Sequence, residues 1–394
     1  SNAVDLDSYL VENSKVILEN AMIEQWSAVR KESNYLNSVL SDLLKEQRAD
    51  IEKFTKDKEL QKEYTQRVFP ELLESLRRDT TCGVFLVMAN DQPIGAPGDF
   101  TGFFLRDSDP VTKVDTNSDL LLERGDKTLA RQWGITLDNS WSPAFRFQGK
   151  GIRESDDFFY EPYTAGMAHT GVDMASLGYW SMPFILEDYE MDNHKMITYS
   201  VPLVNDGVIY GVVGTEVSVS YLCNTYFRVQ DLNRQQTAGY AIAVDNGDGT
   251  YENIAGKGNL YDAVQRENGI FKLESTKHED LFKVKDSKIG TQEIYALFSK
   301  MNLYANNVPY KNTNWVLCGF VAEDSIFSLG DKLYSDILTT IVACAVLGLV
   351  IMSVVIRCVT RPVYRLMDSI RSGIAGLKEF APSGIQEVDE LHQV

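Results

Sequence analysis

Apolar and polar positions change period several times along this chain, and the strictest pattern is the two-residue alternation between Lys195 and Leu222. Two β-branched runs, Met196–Val204 and Val208–Val217, flank Asn205-Asp206-Gly207. Asp-Gly between alternating apolar runs predicts a β-hairpin closed by a two-residue turn. A turn at Asp206-Gly207 pairs Asn205 with Val208, Leu203 with Tyr210, Val201 with Val212, Tyr199 with Gly214 and Ile197 with Glu216. Side chains alternate across a strand, so this register puts Tyr199 and Glu216 on one face, with Gly214 leaving space beside them. Such a face suits the floor of a small-ligand pocket. It also suits plain core with a strand-end glutamate near water.

A different period rules the first fifty residues. From Val4 to about Phe54 there is neither Gly nor Pro, and Ile17, Leu18, Met22, Trp26, Val29, Leu36, Val39, Leu40, Leu43, Leu44, Ile51 and Phe54 recur at helical steps. One amphipathic helix of that length would run roughly 75 Å, enough to lie along more than one domain or to pair with a second copy. A second helix is expected from Pro70 to Arg78, where Pro opens the first turn. Gly83–Ala89 and Phe100–Leu105 read as partner strands, and Leu120–Trp133 as a helix. Asn139–Thr170 reads as a long aromatic loop, a lid over a pocket or a satellite core. After the hairpin, Asp188–Lys195 having served as a polar turn before it, Ser218–Val229 is expected to be helical. Gly239–Asp245, Glu293–Ser299 and Trp315–Ala322 are strands of a second, smaller unit. Asp245–Glu252 has glycines where a calcium loop needs oxygen ligands, so it reads as a hairpin turn.

Ile337–Ile356 is an uncharged stretch long enough to span a bilayer core, and Glu323–Asp336 leads into it as helix. Arg357, Arg361, Arg365 and Arg371 follow, which by the positive-inside rule puts the C-terminal end in the cytoplasm and everything before Asp336 outside. The formal net charge of −18 then belongs to the outer part and argues against nucleic acid as a partner. Ser1-Asn2-Ala3 reads as an expression-tag scar. A natural N-terminal membrane helix is expected to precede it, and the chain stops at Val394 inside a helical pattern. Cys82, Cys223 and Cys318 are too scattered for a disulfide framework and read as buried thiols. Past Pro362, the apolar steps Val363, Leu366, Ile370, Ile374 and Leu377 and then Ile385, Val388 and Leu391 describe two short amphipathic helices that need a parallel bundle, hence a homodimer.

The tail, with Pro362 after the span and Gly384-Ile385-Gln386-Glu387-Val388-Asp389-Glu390-Leu391, resembles a HAMP signalling linker. The outer part resembles the double Cache (dCache) sensor domains of bacterial transmembrane receptors. The residues that carry this are Ile197–Leu203, Gly211-Val212-Val213-Gly214-Thr215-Glu216, Gly178-Tyr179-Trp180-Ser181 and Phe159-Tyr160-Glu161-Pro162-Tyr163. The resemblance implies an α+β chain: a scar at 1–3, a long N-terminal helical region at 4–80, and tandem PAS-like units at 81–235 (ligand-binding, membrane-distal) and 236–325. A connecting and transmembrane helix at 326–356 and a truncated HAMP linker at 357–394 would follow. It implies a receptor in a bacterial cell membrane that binds an amine, an amino acid or another small metabolite and passes a conformational change to a histidine kinase, diguanylate cyclase or chemoreceptor output domain.

In amino-acid-binding members an Asp follows Gly-Val-Val-Gly-x and holds the ligand's amino group; here Glu216 stands at that place. Their Arg-x-Trp-Tyr element, which holds the ligand carboxylate, is absent; Gly178-Tyr179-Trp180 and Arg146 are the nearest substitutes. The candidate ligand-binding residues are therefore Glu216, Tyr199, Trp180, Tyr163, Trp141 and Arg146. Aromatic side chains around one carboxylate suit a cationic ligand. No cofactor or metal is expected, because His169, His194, His278 and His392 fall in no ligand spacing. There is no nucleophile elbow and no phosphate-binding loop. A membrane-anchored extracellular hydrolase is the alternative class.

Overall fold

The computed structural model describes residues 2–112, 116–186, 194–229, 238–265 and 269–371, together with 386 and 390. The chain divides into two compact units, Ser1–Ile326 and Phe327–Val394.

The first unit begins with helix, but not with one continuous helix to Phe54. α1 (Asn2–Asn20) passes into a π-helical turn, Ala21–Trp26, then a 3-10 turn, Ala28–Glu32, before α2 (Ser33–Glu46). The apolar stripe survives the change of pitch: Val11, Leu18, Met22, Trp26, Val29, Leu36, Leu40 and Leu43 are all buried. Helix stops at Gln47 because Arg48 turns left-handed (φ 50°) and Asp50 caps a new helix, its carboxylate accepting from Lys53 N at 2.8 Å. That helix is α3 (Ile51–Lys56). Asp57 in turn caps α4 (Lys58–Asp79), accepting from Glu59 N and Leu60 N. Such a cap contributes about 1 kcal/mol, and it starts α4 twelve residues before Pro70. Pro70 therefore lies inside the helix rather than opening it.

The strands that follow are β1 (Gly83–Met88), β2 (Gly98–Phe100), β3 (Gly102–Asp107) and β4 (Leu120–Arg124). Next come α5 (Lys127–Trp133), β5 (Thr136–Ser142), β6 (Phe145–Phe147), α6 (Asp157–Ala168) and β7 (Tyr179–Trp180). β8 (Met196–Asn205), β9 (Val208–Ser218) and α7 (Val219–Tyr226) complete the set. Seven strands form one sheet in the order β5-β4-β3-β1-β9-β8-β7, while β2 and β6 pair separately. The stretch Leu120–Trp133 is thus a strand and a short helix. Gly125 (φ 124°) breaks them and Asp126 caps α5. The aromatic stretch 139–170 is also more ordered than a loop, since it holds the end of β5, β6 and α6. Of the polar turn expected at 188–195, residues 188–193 lie outside the described residues.

The hairpin forms at Asp206-Gly207, both with positive φ (48° and 77°) as a type I′ turn requires. Its register then departs from the simple one. Asn205 pairs with Val208 and Val204 with Ile209, but Leu203 pairs with Gly211, so Tyr210 is a bulged extra residue. Beyond it Tyr199 pairs with Thr215 and Thr198 with Glu216. Tyr199 and Glu216 consequently lie on opposite faces. Two contacts hold the bulge. The Tyr210 hydroxyl meets Tyr64 Oη at 3.1 Å and donates to Asn37 Oδ1 at 2.9 Å. Gly211 lies so close to Val87 that a Cβ there would stand 2.5 Å from the Val87 carbonyl oxygen.

One sheet face, with Val84, Leu86, Leu105, Tyr199, Val201 and Val213, packs on the N-terminal helices. The other face carries an aromatic core of Phe85, Phe104, Phe145, Phe147, Phe158, Phe159, Tyr160, Tyr163 and Phe184.

The remaining strands are β10 (Ala238–Asp245), β11 (Thr250–Lys257), β12 (Ile270–Ser275), β13 (Phe282–Ile289), β14 (Gln292–Lys300) and β15 (Trp315–Ala322). They close a six-stranded antiparallel barrel with α8 (Asn259–Val264) against it. The turn at 246–249 is a hairpin, with Asn246 N donating to Thr250 O and Asp248 Oδ1 accepting from Thr250 N. A strap from 301 to 314 leads from β14 to β15 and reaches the edge strand β7. There Tyr304 Oη accepts from Trp180 N, and Asn312 Nδ2 donates to the Trp180 carbonyl at 2.7 Å.

β15 runs directly into α9 (Glu323–Val355), followed by a π turn, Ile356–Thr360, and α10 (Arg361–Arg371). Within this stretch Leu333–Arg365 is long and apolar enough to cross a membrane. Pro362 is the second residue of α10, and the π turn ahead of it keeps the chain helical across the junction. The expected second helical phase at 385–391 falls, apart from Gln386 and Glu390, outside the described residues.

Candidate functional site

Glu216 sits at the end of β9 on the aromatic face. It is fully buried, and the neighbouring strands explain how. Across the sheet, Arg106 pairs with Gly83, and Gly83 with Glu216. These three stand in one row on one face. Gly83 is the gap in that row: a Cβ there would come within 2.5 Å of Glu216 Oε2 and 3.0 Å of the Leu105 carbonyl. Without a side chain at 83, charged groups two strands apart share one space.

Arg106 Nη2 lies 2.5 Å from Glu123 Oε1 and 2.9 Å from Asp138 Oδ1, while His194 Nε2 lies 2.5 Å from Glu216 Oε1. Glu123 is 3% exposed and His194 24%, so the imidazole is on the solvent side of the group. Glu216 Oε2 and Glu123 Oε2 are both buried with no hydrogen-bond partner among the described residues. Leaving one such acceptor unmet costs on the order of 1–3 kcal/mol.

Electrostatics follow from this crowding. Burial, with the charge of Glu216 beside it, raises the Glu123 carboxyl above its ordinary range, and Arg106 offsets only part of that. Burial opposes a charge on His194, yet the hydrogen bond and charge of Glu216 outweigh it and raise the imidazole's pKa. At Asp138 burial also acts upward, but Ser140 and Arg106 bring the carboxyl below its usual range. Burial and the nearby Glu216 charge push the Cys82 thiol far up, which leaves it a protonated, inert core residue.

The other sequence candidates are dispersed. Tyr199 and Trp180 pair across β8 and β7, their rings 5.0 Å apart, on the face toward the N-terminal helices. Trp180 also approaches Trp315, the first residue of β15, at 6.3 Å. Tyr163, on α6, stacks on Phe159 at 5.0 Å within the aromatic core, on the same side of the sheet as Glu216. Trp141 donates its indole N–H to the Gly125 carbonyl and packs with the helix-side core. Arg146 projects from β6 into solvent, 75% exposed, with Asp99 3.9 Å away. Arg106, Glu123, Asp138, His194 and Gly83 were not expected at the site. The visible signals were Arg106 closing the strand Gly102–Asp107 and Glu123-Arg124 interrupting an otherwise apolar strand.

A separate cleft of about 530 Å³ lies between the turn after β10 and the strap, lined by Asp245, Lys300, Tyr304 and Asn314 among others. None of the six sequence candidates lines it.

No protein-family model matches the chain, and no curated protein matches it. Solved structures similar to it include the sensory domain of the Campylobacter jejuni chemoreceptor CcmL, at 14% identity and TM-score 0.33, covering 82% of this chain and 98% of that one. The ligand-binding domain of the Pseudomonas aeruginosa amino acid chemoreceptor PctB, in complex with L-Arg, gives 14% identity and TM-score 0.36 over 81% of this chain and 96% of that one. That of the Pseudomonas fluorescens chemoreceptor CtaA, in complex with L-alanine, gives 14% and 0.35 over 82% and 100%. Superposition this loose assigns neither ligand nor site.

Proposed function

We propose that residues 4–326 are the extracytoplasmic sensor region of a bacterial membrane receptor, and that Glu216 is its principal ligand contact. The observation that carries this is a fully buried carboxylate with one oxygen unmet, on a face shared with a guanidinium and a second half-met carboxylate. Core glutamates are rare unless paired, and an incompletely satisfied one marks a place where a further donor belongs. A small molecule bearing a protonated amine supplies that donor.

In this reading the seven-stranded sheet belongs to a distal PAS-like unit at 81–235 and the barrel to a proximal one at 236–325, in the dCache arrangement. α9 crosses the membrane, with the arginines that follow it (Arg357, Arg361, Arg365 and Arg371) in the cytoplasm. The segment from 357 is a HAMP linker in a homodimer that leads to an output domain. Tyr163 would close the aromatic side of the pocket, while Tyr199, Trp180, Trp141 and Arg146 act around it rather than on the ligand. Signal transfer needs a ligand that prefers one of two arrangements, since equal affinity for both shifts nothing.

Calorimetric screening of amines and amino acids against the protein tests the proposal. Binding should appear for at least one amine and be lost in Glu216→Gln. Amine binding that persists unchanged in Glu216→Gln refutes it.

A further inference from the structure

Glu123 and Asp138 pair with the Arg106 guanidinium and Glu216 pairs with His194, all in a desolvated place where Glu216 and Glu123 each keep one oxygen unmet. The group that meets Glu216 is His194, which lies outside the sheet. His194 belongs to the short extended link before β8. The backbone just after it is anchored, at Met196 by its bridge to Phe184 and at Lys195, whose carbonyl accepts from Val219 N. A side chain on such a link can swing away without breaking a ladder hydrogen bond. It is also the most exposed member of the group, whereas the two glutamates behind it are sealed.

We propose that His194 is an internal occupant of a cation site walled by Glu216 and Glu123, and that a ligand enters by displacing its imidazolium. This rests on the reading of Glu216 as the ligand contact and adds what the site accepts. The unmet oxygens, Glu216 Oε2 and Glu123 Oε2, call for more than one N–H donor on the incoming cation. A primary ammonium, amidinium or guanidinium meets both. A quaternary ammonium, with charge but no donor, meets neither. Among the described residues, the other charged groups facing the imidazole are Arg106 on β3, which repels it, and Glu123 on β4, which attracts it. Occupancy by His194 therefore responds to protons as well as to ligand.

Chemical rescue tests this without knowledge of the natural ligand. His194→Ala, and His194→Gln should the alanine variant not fold, are melted in increasing methylammonium chloride, with tetramethylammonium chloride at equal ionic strength as the control. Methylammonium should raise the melting temperature of the His194 variant saturably, and tetramethylammonium should not. The wild type should need at least about tenfold more methylammonium, since an internal competitor filling nine sites in ten weakens apparent affinity by that factor. Adding Glu216→Gln to the variant should abolish the response. Equal midpoints with and without His194, no response in either His194 variant, or equal response to both salts overturns the displacement. Should an amine bind wild type through Glu216 with the same midpoint when His194 is removed, the sensor reading stands and only the displacement falls. Should amine binding ignore Glu216, the sensor reading itself fails.

Discussion

The Glu123 carboxyl offers the sharpest energetic test of the buried charge group. Its pKa is raised in the folded protein, chiefly by burial and then by the charge of Glu216. The unfolded chain therefore holds fewer protons at this group than the native one between about pH 4.3, the ordinary glutamate value, and the raised native value. Stability must fall as pH rises through that window, by up to about 1.4 kcal/mol per pH unit for one group. At pH 7 the penalty cannot exceed about 3.7 kcal/mol, the linkage cost of keeping the group protonated from 4.3 upward. Glu123→Gln removes the titration and keeps the shape. Its amide still offers Arg106 an acceptor, and its N–H₂ can donate toward the unmet Glu216 oxygen. The wild-type bond to Arg106 is neutral too while the group stays protonated, so allowing about 1–2 kcal/mol for a poorer fit of the amide, the variant should be more stable than wild type by up to about 2–3 kcal/mol at pH 7. At pH 4.5 it should be equal or slightly less stable. Urea midpoints measured from pH 4.5 to 8 give the difference directly, and subtracting the two curves cancels the titration of Asp107 and Asp157, which burial also raises. A Glu123→Gln difference that stays flat or turns destabilising toward pH 8 means that the carboxylate is ionised and favourably paired, and the reasoning fails.

Two further substitutions test the geometry. Gly83→Ala places a methyl against Glu216 Oε2 and the Leu105 carbonyl and should cost about 1–3 kcal/mol in a melt. If it costs nothing, the Arg106–Gly83–Glu216 row is looser than described. Asn312→Ala removes the strap's 2.7 Å bond to the Trp180 carbonyl and should cost about 1–2 kcal/mol. The loss should appear as faster amide exchange at the β7 edge as well as in the barrel. Faster exchange confined to the barrel would mean the strap does not tie the two sheets.

Much of the architecture was legible in the chain because its elements carry strong local signals. Asp206-Gly207 dictates its own turn, and β1, β10 and β15 are short apolar runs of strand length, while β14 carries an apolar centre, Ile294–Phe298. The elements that escaped lack such signals. β13, Phe282–Ile289, alternates with Lys283, Lys285 and Lys288, so its inward residues are masked by charge and its pairing comes from barrel closure. α4 runs through Pro70 because its cap at Asp57 and its buried Tyr64, Phe69 and Leu72 outweigh one lost backbone hydrogen bond. The site was legible only in Glu216. Its partners come from β3, β4, β5 and the link before β8, and no local pattern joins residues so far apart in the chain.

The bulge at Tyr210 decides what Glu216 can do. With simple pairing, Glu216 would face the N-terminal helices beside Tyr199 and Val201, in a core that leaves a carboxylate nothing to bind. One extra residue shifts the register, and a one-residue shift reverses every side chain beyond it. Glu216 then joins the face of Arg106 and the aromatic core, and Thr215 takes its former side, donating to the Trp26 carbonyl. The sign of the bulge in the sequence is Gly211, a glycine inside an otherwise β-branched run where a neighbouring backbone comes close. The same tyrosine that forms the bulge is tied to Asn37 on α2 and Tyr64 on α4. The N-terminal helices thus hold the register that orients the proposed ligand contact. A movement of these helices that releases Tyr210 would loosen Glu216 as well, so helix position and site geometry are coupled through the bulge rather than through the ligand alone.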